Sequence, residues 1–531
     1  MSETRNVFQQ AADLLNSWGS TRLYDGNTLD ELLTFDGISL WETVAPVLAA
    51  FNIPKALASQ LPPSYYNKAI RPYLLLTKYR LKSCASHFNN ANKKAAWPPV
   101  PAPFFLGFSG YMYRDILEGV RNKLSESLDV NSVVLHDDER LQESKVELQG
   151  TNIHSIWECW DSEVKEFYLS VRNELNKKIT VLKHARSLST LSLCTPELQF
   201  EKIEAIMNWL SIYYLPALLP YFAVSKQMLV KHRPSILISP DVADPRARLL
   251  CQAGKSIGIP SLTLQFGMYG SEAVEWCFFL EDMAAVWGGS GRKVLMEHGV
   301  PSERITITGS PRFDMLAGST VSSLRKRLGI ADYDRVILFA SVYSPKSDKE
   351  YSSLKNVITD VKRAVFSAAD RVDKIILLVK PHPLENVKET KRIAKGYKNI
   401  IFVDQKLDIR ELIKSSDAFI TLGSTSTMDA LIANKLIIFP AFEGLVWQED
   451  LYLKSQVAHA VTTEDELIEC FKKIADATEA EIMEPLKPAI KAFLEDQIYR
   501  ADGLSAQRVA NLVMQMMPEL SRNGIAEQKG L

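Results

Sequence analysis

The chain has 531 residues, more than one hydrophobic core usually supports, so two or more domains are expected. At 46% hydrophobic, 24% charged and a formal net charge of −1, it reads as an ordinary globular protein with no case for a nucleic-acid partner. It holds no apolar run of about 18 residues and no basic-then-apolar start, so neither a spanning helix nor a secretory signal is expected, and a cytoplasmic location is. Six cysteines without a CxxC and eight histidines without ligand spacing argue against disulfides and a metal centre.

Residues 1–98 read as a mostly helical N-terminal region with a turn at Asp36-Gly37. Between Glu42 and Asp115 no acidic residue occurs, while Lys55, Lys68, Arg71, Lys78, Arg80, Lys82, Lys93, Lys94 and Arg114 do. Such a stretch either meets an anionic membrane, at about 1 kcal/mol per basic residue, or is a solvated face paired with acidic segments elsewhere. Both readings stay open.

After the proline-rich WPPVPAP, residues 99–320 predict a Rossmann-like domain with a helical insertion at about 150–230. PFFLG and NSVVLH are apolar strands flanking a helix. PSILISPD, IPSLTLQFG, MAAVWG and RITITGSPRFD continue the alternation of strand and helix. Residues 330–480 predict a second such domain, with strands in RVILFA, DKIILLVKPHP, NIIFVD, DAFITLGSTS and LIIFPAF. These strands are β-branched and apolar throughout, as strands covered on both faces should be. Residues 481–531 read as a helical tail. The expected architecture is α/β: two Rossmann-like parallel-sheet domains facing a cleft, with a helical N-terminal extension.

Ligands of open parallel sheets bind beyond the carboxyl ends of the strands, which sorts the candidates. In LGSTSTMDAL, Gly423 ends a strand and Ser424, Thr425, Ser426 and Thr427 lead into a helix, an arrangement suited to an anion; an ordinary N-cap is the simpler alternative. In VKPHP, prolines bracket His382, which could donate to a phosphate oxygen, with Lys380 adding charge. Ser341 ends another strand. Glu443, after LIIFPAF, could accept ribose hydroxyls. Asp241, at the end of ILISPD, is the preferred general base for an acceptor hydroxyl, although a helix-capping role is at least as good a reading, and Asp244 competes for either role. Ser310 and Arg312 in TGSPRFD are candidate donor ligands. Gln265, Phe266 and Gly267 are candidate acceptor contacts.

The order TLQFGMYG, AAVWG, RITITGSPRFD, VKPHP, LGSTSTMDAL resembles GT-B glycosyltransferases of bacterial surface-polysaccharide synthesis, among them HP-motif sialyl- and Kdo-transferases and CDP-glycerol glycerophosphotransferases. It spans residues 231–450. The resemblance implies a metal-independent transferase without a resident cofactor. Its nucleotide-activated donor, CMP- or CDP-linked, would bind the C-terminal domain through His382, Ser424 to Thr427 and Glu443. A saccharide or lipid-linked acceptor would bind the N-terminal one. A UDP-N-acetylglucosamine 2-epimerase-like isomerase and a noncatalytic sugar-nucleotide-binding subunit are the alternatives.

Overall fold

The computed structural model describes residues 2–53, 104–107, 116–128, 130–136, 151–155, 159–239, 242–268, 273–314, 316, 322–330, 335–342, 352–382, 385–445 and 451–517. The nine basic residues from Lys55 to Arg114 and the candidate base Asp241 lie outside the described residues. The chain divides into two compact units, Met1–Arg312 with Ala506–Leu531, and Phe313–Ser505.

The first unit opens with helix α1 (Ser2–Ser20). A small hairpin follows, Thr34–Phe35 against Ile38–Ser39. Its turn, Asp36-Gly37, takes positive φ at both residues, 48° and 76°. That is the conformation a two-residue hairpin loop requires and Asp-Gly tolerates. Helix α2 (Leu40–Val47) is capped by the Ser39 hydroxyl.

The unit's parallel strands are β1 (Phe104–Gly107), β2 (Asn131–His136), β3 (Thr151–Ser155), β4 (Leu237–Ser239), β5 (Ser261–Leu264), β6 (Met283–Val286) and β7 (Ile305–Ile307). β1 pairs β2 and β2 pairs β3, while β4 to β7 pair in sequence, and β1 lies beside β4. Strand pairing thus gives two hydrogen-bonded parts, in the orders 3-2-1 and 4-5-6-7, which lie side by side at β1 and β4. β3 corrects the expectation that 150–230 is helical: the helices begin only at Ser162. Polar, short TNIHS carries too little apolar pattern to announce a strand.

Alternation along β4 explains the layering, because successive side chains point to opposite faces. Ile236 and Ile238 pack with helix α3 (Glu118–Ser125) and the C-terminal helix Ser505–Met516. Leu237 instead packs into the large core that includes α1, helices Ser162–Leu182 and Leu215–His232, and helix α4 (Pro245–Lys255). Fully buried Arg248 of α4 donates to the carbonyls of Glu42, Val242 and Phe278 at 3.0, 3.0 and 2.7 Å. Gln252 adds bonds to Ser39 and Thr43. The N-terminal helices are thereby tied to the Rossmann-like sheet by buried polar contacts as well as by apolar burial. Helix α5 (Gly289–Glu297) follows β6.

The second unit is a six-stranded parallel sheet of β8 (Arg335–Ala340), β9 (Ile375–Lys380), β10 (Ile400–Phe402), β11 (Ala418–Ile420), β12 (Leu436–Pro440) and β13 (His459–Val461), in the order 10-9-8-11-12-13. Its central strands are almost wholly buried, as their unbroken apolar runs require. The chain winds outward from β8 through β9 to β10, then crosses back to β11 on the other side of β8. The strand order therefore reverses between β8 and β11, which is where doubly wound sheets bind ligands. Helices α6 (Ser352–Arg371), α7 (Val387–Ile393), α8 (Ile409–Ser415) and α9 (Ser426–Ile432) connect the strands. Among the described residues, no helix is long and apolar enough to cross a membrane.

Candidate functional site

Strand register fixes which loops are neighbours. Ala340 pairs with Lys380, and Phe339 with Ile420, so the segments beginning Ser341, Pro381 and Thr421 leave the sheet at one level. The His382 and 421–427 segments flank Ser341 from either side, with strand axes about 10 Å apart at two strand spacings. Glu443, exposed, follows β12 one strand farther along. Ser341, Lys380, His382, Gly423 to Thr427 and Glu443 thus share the carboxyl edge of one sheet.

The turn after β11 is organised by its own hydroxyls. Gly423 takes φ 88°, which favours glycine. The Thr421 hydroxyl accepts the Ser424 N–H at 3.1 Å, and the Ser424 hydroxyl accepts that of Ser426 at 3.3 Å. Buried Thr427 donates its hydroxyl to the Ser424 carbonyl at 2.6 Å. Thr427 is accordingly an internal brace, and the N–H groups of Ser424, Ser426 and Thr427 are used within the turn. The hydroxyls of Thr425 and Ser426, both half-buried, make no hydrogen bond among the described residues. They are the donors this turn has to offer.

The turn after β9 is fixed from behind. Glu385 accepts the His382 N–H at 3.0 Å, and the His382 carbonyl accepts from Glu385 N and Gln405 Nε2, each at 2.8 Å. The His382 side chain itself is exposed. Partial burial holds its imidazole below the ordinary histidine range, the Glu385 carboxylate opposes that, and the Lys380 ammonium reinforces it. Lys380 directs its amine to the Gln405 carbonyl, and burial lowers its affinity for the proton. Ser341, 4% exposed, donates to Glu385 at 2.8 Å. Ser341 and Lys380 are therefore both engaged within the protein.

Sequence reasoning missed Glu385 and its partner Lys362, whose ammonium lies 2.6 Å from the carboxylate with the side chains 5% and 3% exposed. A signal existed. Lys362 falls on the apolar stripe of α6, four residues from both Ile358 and Phe366, and a lysine there needs a buried partner.

The remaining candidates lie in the first unit. Asp244 caps α4, accepting the Arg246 N–H at 2.8 Å and the Arg246 Nε at 2.9 Å. Gln265 is buried: its amide oxygen accepts the Trp287 N–H and its amide nitrogen donates to the Gly267 carbonyl, each at 2.8 Å. Phe266 is 38% exposed, so of that trio it presents the largest free surface. Ser310 is 1% exposed, and its hydroxyl finds no hydrogen-bond partner among the described residues. Half-buried Arg312 sits in the short helix Pro311–Asp314. The structure thus gathers one set of candidates at the edge of the second sheet, with Asp244, the 265–267 trio, Ser310 and Arg312 in the other unit.

Residues 294–515 match the family model of CDP-Glycerol:Poly(glycerophosphate) glycerophosphotransferase. The solved wall teichoic acid polymerase TagF is 15% identical over 86% of this chain and 98% of its own, with a TM-score of 0.50. A variant of that polymerase gives 14% over 87% and 98%, again at 0.50. UDP-GlcNAc 2-epimerase from Neisseria meningitidis, solved with UDP-GlcNAc, is 11% identical over 78% of this chain and 99% of its own, at 0.49. No curated protein matches the chain. The sheet orders, the strand-end loops and the match over 294–515 together show a GT-B-like fold related to that of the CDP-glycerol glycerophosphotransferases.

Proposed function

We propose that the protein transfers a sugar or polyol phosphate from a cytidine-nucleotide-linked donor to a saccharide or lipid-linked acceptor of the cell surface, acting in the cytoplasm at the inner face of the membrane. The observation that supports this reading is that the segments bearing His382 and the Thr425 and Ser426 hydroxyls leave the second sheet on either side of its strand-order reversal. Those groups hold the donor's phosphate, and Glu443 takes the ribose hydroxyls. The acceptor binds the first unit, where exposed Phe266 offers a face for a sugar ring.

Asp241 takes the proton of the acceptor hydroxyl as its oxygen attacks the donor. The bond between the transferred group and the nucleotide breaks, and the departing phosphate keeps the electron pair while His382 and the two hydroxyls neutralise its charge. Asp244 is less available for this step, because its carboxylate already caps a helix and pairs with Arg246. Catalysis of this kind rests on positioning and on fixed donors aimed at developing charge.

The test incubates the full chain with CDP-glycerol, a CMP-sugar or UDP-GlcNAc, with and without a lipid-linked oligosaccharide. Nucleotide release that depends on the acceptor supports transfer. Epimerised sugar nucleotide formed without any acceptor would overturn it.

A further inference from the structure

The Glu385 carboxylate gathers donors from four segments. Lys362 of α6, Ser341 after β8 and Thr390 of α7 reach Oε1 at 2.6, 2.8 and 2.5 Å, and the His382 N–H reaches Oε2 at 3.0 Å. Lys362 also donates to the Val342 carbonyl at 3.3 Å and to Thr390 at 3.2 Å. An acidic residue closing an ordinary turn needs none of this, since an N–H beside an exposed side chain can be satisfied by water. Buried ion pairs are poor stabilisers compared with apolar side chains of the same volume. What this one supplies is geometry: it locks the turn bearing His382 to the strand at the reversal point and to two helices.

We propose that Glu385, clamped by Lys362, is the positioning residue that aims His382 at the donor phosphate, and that Ser341 belongs to this clamp and not to the donor's ligands. The inference rests on the phosphate role assigned to His382 above. The clamp acts through the main chain: with the His382 N–H and carbonyl both tied, the backbone from which the imidazole projects is held in place.

The test uses the full chain, CDP as the probe, and three variants: His382→Gln, Glu385→Gln, and the double replacement Glu385→Leu with Lys362→Met. Thermal melts report folding, calorimetry reports CDP affinity, and NMR of ¹³C-labelled histidine reports the His382 ring, assigned by its loss in His382→Gln. The double variant replaces the buried pair with apolar groups, so it is expected to melt no lower than Glu385→Gln. It should nonetheless bind CDP at least tenfold more weakly than the natural chain, with a His382 signal that no longer moves on CDP addition. A stable double variant that binds CDP within twofold of the natural chain, with the His382 response intact, would overturn the positioning role and leave the phosphate site standing. Unchanged CDP affinity in His382→Gln would instead remove the phosphate role of His382, and this inference with it.

Discussion

Gln265 and Trp287 are joined twice: the Trp287 N–H donates to the Gln265 amide oxygen at 2.8 Å, and its indole N–H donates to the Gln265 carbonyl at 2.7 Å. The pair pins the end of β5 to the end of β6. Gly291 of α5 permits it, since a Cβ there would stand 2.6 Å from the same amide oxygen. Gln265→Leu leaves a buried N–H unpaired and should cost about 1–3 kcal/mol. Urea unfolding checks this as a lowered midpoint at constant slope.

Arg248 links the N-terminal helices to the first sheet through three carbonyls. Arg248→Met removes every one of those donors at a fully buried position, and a loss on the order of 3 kcal/mol is expected. Limited proteolysis should then cut first around α1 and α2, at a protease concentration that leaves the natural chain whole.

Gly423 holds φ 88° at the head of the hydroxyl turn. Gly423→Ala forces a side chain into that conformation, at about 1–3 kcal/mol of local strain. With half of that strain relieved by displacing Thr425 and Ser426, CDP affinity falls roughly two- to tenfold while the melting temperature moves by only a few degrees. Calorimetry and a thermal melt on the same sample separate the two effects.

Acid should weaken the fold through its histidines. Burial lowers the proton affinity of His232, His382 and His459 in the folded chain. The unfolded chain, with ordinary histidines near pH 6.5, therefore takes up protons first as pH falls. Stability from this source is complete above about pH 6.5 and is lost as pH drops toward the folded values. His459→Gln should flatten the slope of unfolding free energy against pH between about 7 and 5, measured by urea titration. CDP binding should show the opposite sign, strengthening as His382 gains its proton, and that gain should vanish in His382→Gln.

Both parallel sheets were legible because their strands carry unbroken apolar runs such as IILLVK and LIIFP. Thr151–Ser155 and His459–Val461 were not, being short edge strands without that pattern. Strand ends led to Ser341, Lys380 and the 423–427 turn, since position in a parallel sheet follows from order along the chain. The partners of those side chains did not follow. That Ser341 serves Glu385, and that Lys380 serves the Gln405 carbonyl, depends on how α6, α7 and the segment after β10 close over the edge. Those contacts join residues 20 or more positions apart, and no local spacing encodes them.

A crystal structure of the full chain with CDP bound tests most directly whether His382 and the turn after β11 grip one anion. The expected result is a phosphate whose oxygens lie within about 2.7–3.2 Å of the His382 ring and of the Thr425 or Ser426 hydroxyl. A diphosphate seated away from the 421–427 turn, or bound there with the imidazole directed elsewhere, would contradict it.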